Sequence, residues 1–243
     1  MKRALIRINA FIKGLILAMR PHIILGWLRR PLLKISNTLS LTRWIAGQNK
    51  IAGLNDFYSP GRDYSKRYQL YRYVADTLQL ENEAIDYLEF GVAKGYSFKW
   101  WLSACINNDS RFYGFDTFEG LPENWGTFNR GDMAADIPET EDNRAKFIKG
   151  LFQDTLQDFL FSYKTAAGKR KIIHMDADLF SSTLFVLSSL APFLNRGDIL
   201  IFDEFNVPDH EFFAFRIFCD SWYIKTRLLG AVNNFLQTAF IIE

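Results

Sequence analysis

Ile85-Asp-Tyr-Leu-Glu-Phe-Gly-Val-Ala-Lys-Gly95 is the stretch on which the fold of this 243-residue chain turns. Ile85–Phe90 is short and mostly apolar, which suits a strand buried on both faces. Gly91–Gly95 then supplies a turn with two glycines, where backbone can approach a ligand closely. A helix through about Ile106 follows. A strand, a glycine turn and a helix in that order open a parallel α/β unit.

Working outward, the rhythm repeats. Arg111–Phe115, Lys146–Lys149, Lys171–Met175 and Asp198–Phe202 read as strands, with helices near Thr155–Tyr163, Ser181–Leu194 and Asp209–Asp220. Ile224–Leu229 and Leu236–Ile242 are two further strands with no helix between them, the pattern of an antiparallel pair. The fold expected is α/β: a doubly wound, mainly parallel sheet ending in an antiparallel strand pair, with an N-terminal helical extension. Upstream, Tyr64–Leu80 predicts a helix and Asn55–Gly61 a loop. Thr117–Pro138 is too long and aromatic for a simple connection, and is expected to form a lid over an acceptor, carrying Trp125 and Phe128. A packed surface loop is the alternative.

Two units are expected, a basic extension over 1–54 and the main domain over 55–243. Residues 1–50 hold ten Lys or Arg and no Asp or Glu; of 29 basic residues in all, 19 therefore face 27 acidic ones in the remainder. Residues 4–19 predict an amphipathic helix, with Leu5, Ile8, Ile12, Leu15 and Met19 as its stripe. A basic arm on an acidic body points to a polyanion or membrane surface as the arm's partner. Packing against the domain or a second subunit, as in a homo-oligomer, is the other reading. Nucleic-acid binding is disfavoured because no recognised motif accompanies the charge. The apolar runs are cut by Lys13, Arg20 and Arg29, short of the roughly 20 residues of a spanning helix. No secretory signal is expected either. Cys105 and Cys219 have no metal or redox spacing and read as free thiols. Together these suggest a cytoplasmic protein, peripheral to the inner membrane face through its arm.

Ligands of such sheets bind beyond the carboxyl ends of the strands. Those ends carry Glu89, Asp116, Asp176, Asp203 and Glu204. Asp116 is placed to accept two ribose hydroxyls, and with the Gly91–Gly95 turn it suggests a nucleoside-bearing cofactor. The third glycine of a dinucleotide fingerprint is absent, since Ser97 and Phe98 stand there. Asp176, Asp203 and Glu204 on neighbouring strand ends offer three hard oxygen ligands without a cysteine, which suits Mg²⁺ or a similar ion. Helix capping by Asp178 or Ser181 is the bland alternative.

As a set, Glu89-Phe-Gly-Val-x-x-Gly-x-Ser, Gly114-Phe-Asp-Thr-Phe-Glu-Gly-Leu-Pro122, Gly150-x-Phe-x-Asp-Thr-Leu156, Asp176-x-Asp-Leu-x-x-Ser-Thr183 and Asp203-Glu-Phe205 resemble the macrocin O-methyltransferase family over about residues 55–243. That resemblance implies S-adenosylmethionine as cofactor and a sugar or other small-molecule hydroxyl as acceptor. It implies the methionine end held by the Glu89 turn with Gly91, Gly95 and Ser97 close by. Asp116 would take the ribose, with Thr117 and Phe118 beside it, and Phe152 and Gln153 would lie near the adenine. Asp176, Asp203 and Glu204 would hold Mg²⁺, with Asp176 catalytic through it. The sequence departs from the family in having Glu204 where a second Asp is usual, and in lacking a loop histidine over Thr117–Pro138. His210, in the segment after the fifth strand, is the candidate base; His174 reads as a buried structural residue. The arm matches no part of the family pattern. A nicotinamide-dependent dehydrogenase and a non-catalytic nucleoside-binding protein at a membrane surface are the rival readings.

Overall fold

A computed structural model describes residues 2–48, 53–125, 127–163 and 169–243. Eight strands form one sheet, and two apolar layers, one on each face, make the core. The strands are β1 (Leu54–Asn55), β2 (Ile85–Phe90), β3 (Arg111–Asp116), β4 (Ala145–Lys149), β5 (Arg170–Met175), β6 (Ile199–Phe202), β7 (Thr226–Val232) and β8 (Gln237–Ile242). Their order is β1-β7-β8-β6-β5-β2-β3-β4. All neighbours pair in parallel except β8, which runs antiparallel to both β6 and β7. The expected doubly wound sheet with its antiparallel ending is what the chain adopts.

Alternation along each strand sorts the side chains between the two faces. Leu88, Phe90, Ile173, Met175, Leu200 and Phe202 pack beneath α6 (Phe152–Ser162), α7 (Phe180–Leu190) and α8 (Glu211–Trp222). Tyr87, Phe112, Ile172 and Ile201 face the opposite side, under α4 (Lys66–Leu78) and α5 (Tyr96–Ala104). From β2 the chain winds outward through β3 to β4, then returns to place β5 on the other side of β2. The topological switch thus lies between β2 and β5, and a crevice opens there at their carboxyl ends.

Several details differ from expectation for local reasons. Asn55, expected to open a loop, instead joins Leu54 in pairing with Gly230 and Ala231, an edge strand too short to read by periodicity. The β7–β8 hairpin is offset from its expected limits. Tyr223 closes α8 in a left-handed conformation, and Asn233, Asn234 and Phe235 all take positive φ in the turn. Cys105 follows α5 as its C-cap instead of lying inside it, and both cysteines are free.

The N-terminal segment is longer in helix than its sequence suggested. α1 (Lys2–Met19) is followed by a short α2 (His22–Leu25), a 3₁₀ turn and α3 (Arg29–Gln48). The C-terminal half of α3 packs into the main core. Leu41 is buried there, and the Trp44 ring lies 5.1 Å from Phe205 and 5.8 Å from Phe235, centroid to centroid. Asn37 donates to Asp209 at 2.9 Å. The expected boundary between extension and domain, after Leu54, falls within β1, and residues 49–52, inside the expected extension, lie outside the described residues.

Candidate active site

At the switch point β2 ends in Gly91, which has φ +96°. A Cβ there would overlap the carbonyl oxygen of Asp176, the residue following β5. Two parallel strands can therefore part at this height only with glycine between them. A cavity of about 570 Å³ opens beside that contact, within the roughly 300–1,000 Å³ usual for small-molecule sites.

One end of the cavity is built on β3. Asp116 accepts the Ala93 N–H through Oδ2 and the Phe118 N–H through Oδ1, both at 2.7 Å. These bonds fix the carboxylate and leave each oxygen a further lone pair for a ligand hydroxyl. Thr117, Phe152 and Gln153 line the wall next to it. Phe152 and Gln153 begin α6, whose Leu151 N-cap makes no side-chain cap, so first-turn N–H groups remain available at this wall.

Not all the expected cofactor residues reach the cavity surface. Glu89, Gly95, Ser97 and Phe118 stand behind it. Gly95, at φ +72°, starts α5 against Pro138, and Phe118 packs near Phe147 while its N–H holds Asp116. Glu89 belongs to a buried polar chain. Ser97 Oγ lies 3.2 Å from Tyr71 OH, Tyr71 OH lies 3.3 Å from His174 Nε2, and His174 Nδ1 lies 2.7 Å from Tyr87 OH, which donates to Glu89 Oε2. Burial holds the His174 imidazole down at about 3, so it is neutral and can donate on one side only. With Tyr87 donating to Glu89, the run of donors from Ser97 to Glu89 points one way. Burial also raises the Glu89 carboxyl to about 8.

The other end of the cavity is acidic. Asp176, Asp178, Asp203 and Glu204 line it, and Glu211 lies buried beneath, accepting the Glu204 N–H at 2.9 Å. Burial raises every one of these carboxyls, and mutual repulsion adds to the rise at Asp176, Asp178, Glu204 and Glu211. Arg67 answers part of that charge: its guanidinium lies 3.1 Å from Asp203 Oδ2. Asp203 Oδ1 is buried without a partner among the described residues. The same residues include no group of three His, Cys, Asp or Glu side chains arranged to hold a metal, so the expected triad of Asp176, Asp203 and Glu204 shares a cavity without forming a ready-made ligand set.

Asp178 lies on the cavity wall, with its carboxyl raised to about 7 by burial first and then by Glu204 and Asp203. It does not cap α7, whose N-cap is Leu179 with no side-chain cap, and Ser181 lies within that helix. His210 is displaced from the expected base position. It is the N-cap residue of α8, its Nδ1 accepts the Phe180 N–H at 3.3 Å, and its ring stands edge-on to Trp125, outside the cavity lining.

The long loop after β3 forms the outer wall. Gly120 is pressed against the carbonyls of Gly131 and Asp132, and Trp125 and Phe128 exchange backbone hydrogen bonds with their rings stacked at 5.5 Å. Leu121, Trp125, Phe128 and Met133 face the cavity.

Arg67, Arg62, Tyr64 and Asp178 also line the site and were not anticipated. Arg67 had a signal: it precedes Tyr71 by one turn on the face of α4 that buries Leu70, Tyr71 and Val74. A charge on a buried helical stripe needs a partner.

Residues 88–205 match the family described as Methyltransferase domain. A curated relative, 8-demethyl-8-(2,3-dimethoxy-alpha-L-rhamnosyl)-tetracenomycin-C 4'-O-methyltransferase of Streptomyces olivaceus, is 26% identical over 165 residues, which is 58% of this chain and 61% of that protein. The chain thus matches about three fifths of that relative's length. Among solved structures, the calicheamicin methyltransferase CalS11 superposes with a TM-score of 0.57 at 20% identity, covering 85% of this chain and 91% of the other. The O-methyltransferase NovP does so with 0.56 at 21% identity, covering 72% and 79%. The fold is that of the Rossmann-like methyltransferases.

Proposed function

We propose that this chain is a methyltransferase that transfers the methyl group of S-adenosylmethionine to a sugar hydroxyl on a glycosylated small molecule. One observation carries the reading: a single cavity at the β2–β5 switch has a nucleoside-type grip at one end and four carboxylates at the other. Asp116 offers its free lone pairs to the two ribose hydroxyls. Phe152 and Gln153 flank the base, and the Gly91 turn admits the methionine end towards Glu89. The tetracenomycin relative, named for methylating a rhamnosyl group, supports the acceptor class.

In the reaction, the acceptor oxygen attacks the methyl carbon in line with the sulfonium. A C–O bond forms, the C–S bond breaks with its electron pair going to sulfur, and S-adenosylhomocysteine leaves. The hydroxyl proton goes to a carboxylate at the acidic end. Asp178 is that base by position, in place of His210. Trp125 and Phe128 give the sugar an apolar face to lie on. Such positioning can contribute roughly 7–11 kcal/mol to rate.

The unpartnered Asp203 Oδ1, with Asp176 and Glu204 in the same cavity, fits a Mg²⁺ requirement in donor type. A divalent ion bound there would lower the pKa of a coordinated hydroxyl. The Arg67–Asp203 pair favours a second reading, in which Arg67 supplies the positive charge and no ion is needed. Incubation with S-adenosylmethionine and a rhamnosylated acceptor tests the function: one methyl should appear on the sugar, together with S-adenosylhomocysteine. The same assay in excess chelator separates the two readings.

A further inference from the structure

From Lys2 to Ser36 every residue is exposed except half-buried Leu28. α1 is 18 residues long and buries none of them, leaving Ile8, Phe11, Ile12 and Leu15 between 47% and 73% exposed. This length carries eight Lys or Arg and no Asp or Glu. Apolar side chains left in water at this density need a partner. The partner must also be anionic, because nothing in the segment answers its positive charge. Arg3, Arg7 and Lys13 fall outside the stripe formed by Leu5, Ile8, Ile12 and Leu15, with Arg7 and Lys13 on its two flanks and Arg3 opposite, which lets the stripe enter a headgroup layer while the charges stay among the headgroups. Among the described residues no single helix is long and apolar enough to cross a bilayer; α1 passes such a test only jointly with the helical stretch His22–Gln48, across a bend of 58°.

We propose that residues 2–36 form an interfacial anchor that docks on an anionic phospholipid surface, with α1 lying in the plane of the headgroups. The anchor is mounted rigidly. Trp44 and Leu41 fix the far half of α3 in the core, and Asn37 binds Asp209, the neighbour of His210, whose ring abuts Trp125 on the cavity wall. The arm therefore leaves the domain beside the outer wall of the active site, and docking brings that wall towards the lipid.

The test is co-sedimentation of the full chain with vesicles of phosphatidylcholine alone or mixed with phosphatidylglycerol. Binding should require phosphatidylglycerol, weaken with salt as the surface charge is screened, and be stripped by alkaline carbonate. Each basic residue near such a surface contributes roughly fivefold to binding, so the triple variant Arg3→Gln, Arg7→Gln, Lys13→Gln should lose about a hundredfold. Ile8→Gln with Ile12→Gln and Leu15→Gln should also release the chain. These side chains are solvent-exposed, so the cofactor-dependent rise in melting temperature should be unchanged in both variants. Equal binding to neutral vesicles, or retention after carbonate, would overturn the proposal. So would a chain that ignores vesicles but self-associates through the arm or is retained by DNA.

Discussion

The Arg67 guanidinium reaches Asp203 Oδ2 at 3.1 Å across a cavity end lined by Asp176, Asp178 and Glu204. It brings a chain-borne positive charge to a place where the sequence suggested only acids. Arg67 also lowers what would otherwise be a higher pKa at Glu89, Asp176 and Glu204, so its field extends beyond its direct partner.

Arg67→Met should leave Asp203 nearly buried and uncompensated. Loss of one partner from a buried pair costs roughly 3–5 kcal/mol, and the partial exposure of Arg67 places this case at the lower end. Urea denaturation measures it. If the acids also bind Mg²⁺, the ion should raise the melting temperature of Arg67→Met more than that of the parent. Equal or absent shifts in both would remove the ion from the account.

Gly91→Ala should lose cofactor binding together with stability. Its φ of +96° costs an alanine roughly 1–3 kcal/mol, and the overlap with the Asp176 carbonyl forces β2 and β5 apart. Calorimetry with S-adenosylhomocysteine should show no binding, and a folded variant that binds normally would contradict the assignment of the switch point.

Asp116→Ala removes the acceptor held by the Ala93 and Phe118 N–H groups. Hydrogen bonds to a charged group are worth roughly 1.5–3 kcal/mol, so affinity for S-adenosylhomocysteine should fall about 10- to 100-fold. Asp116→Asn should fall in between, since one oxygen remains to accept.

Glu89 gives a pH dependence of defined sign. Its folded carboxyl titrates at about 8, against 4.5 for an ordinary glutamate. The fold therefore favours the protonated form. The stability this lends is complete below about pH 4.5 and is lost as pH rises to about 8. Glu89→Gln should abolish that slope and be more stable than the parent at pH 9, by up to roughly 5 kcal/mol. Denaturation curves across pH, read as the difference between the two proteins, measure it.

The sheet was legible because β2, β5 and β6 are buried on both faces, which makes their sequences short and mostly apolar, interrupted only by Asp86 and Glu89 in β2 and by Arg170, Lys171 and His174 in β5. Position then followed from chain order: acids after β3, β5 and β6 had to meet at one edge. What escaped was tertiary in origin. β1 is two residues long and exists only because β7 offers it an edge. The docking of α3 depends on Trp44 finding Phe205, Phe235 and Phe240, partners about 160 to 200 residues away in sequence. His210 was placed near the site by sequence distance from β6, yet the turn into α8 commits its Nδ1 to Phe180. Asp178 was overlooked because an acid before a helix ordinarily caps it, whereas here its φ of +57° leaves the carboxylate on the cavity wall.

Calorimetric titration of the intact chain with S-adenosylhomocysteine, beside the same titration with NAD, tests the central assignment most directly. The account predicts one site for S-adenosylhomocysteine, weakened by Asp116→Ala, and no heat from NAD. Saturable binding of NAD with none of S-adenosylhomocysteine would contradict it.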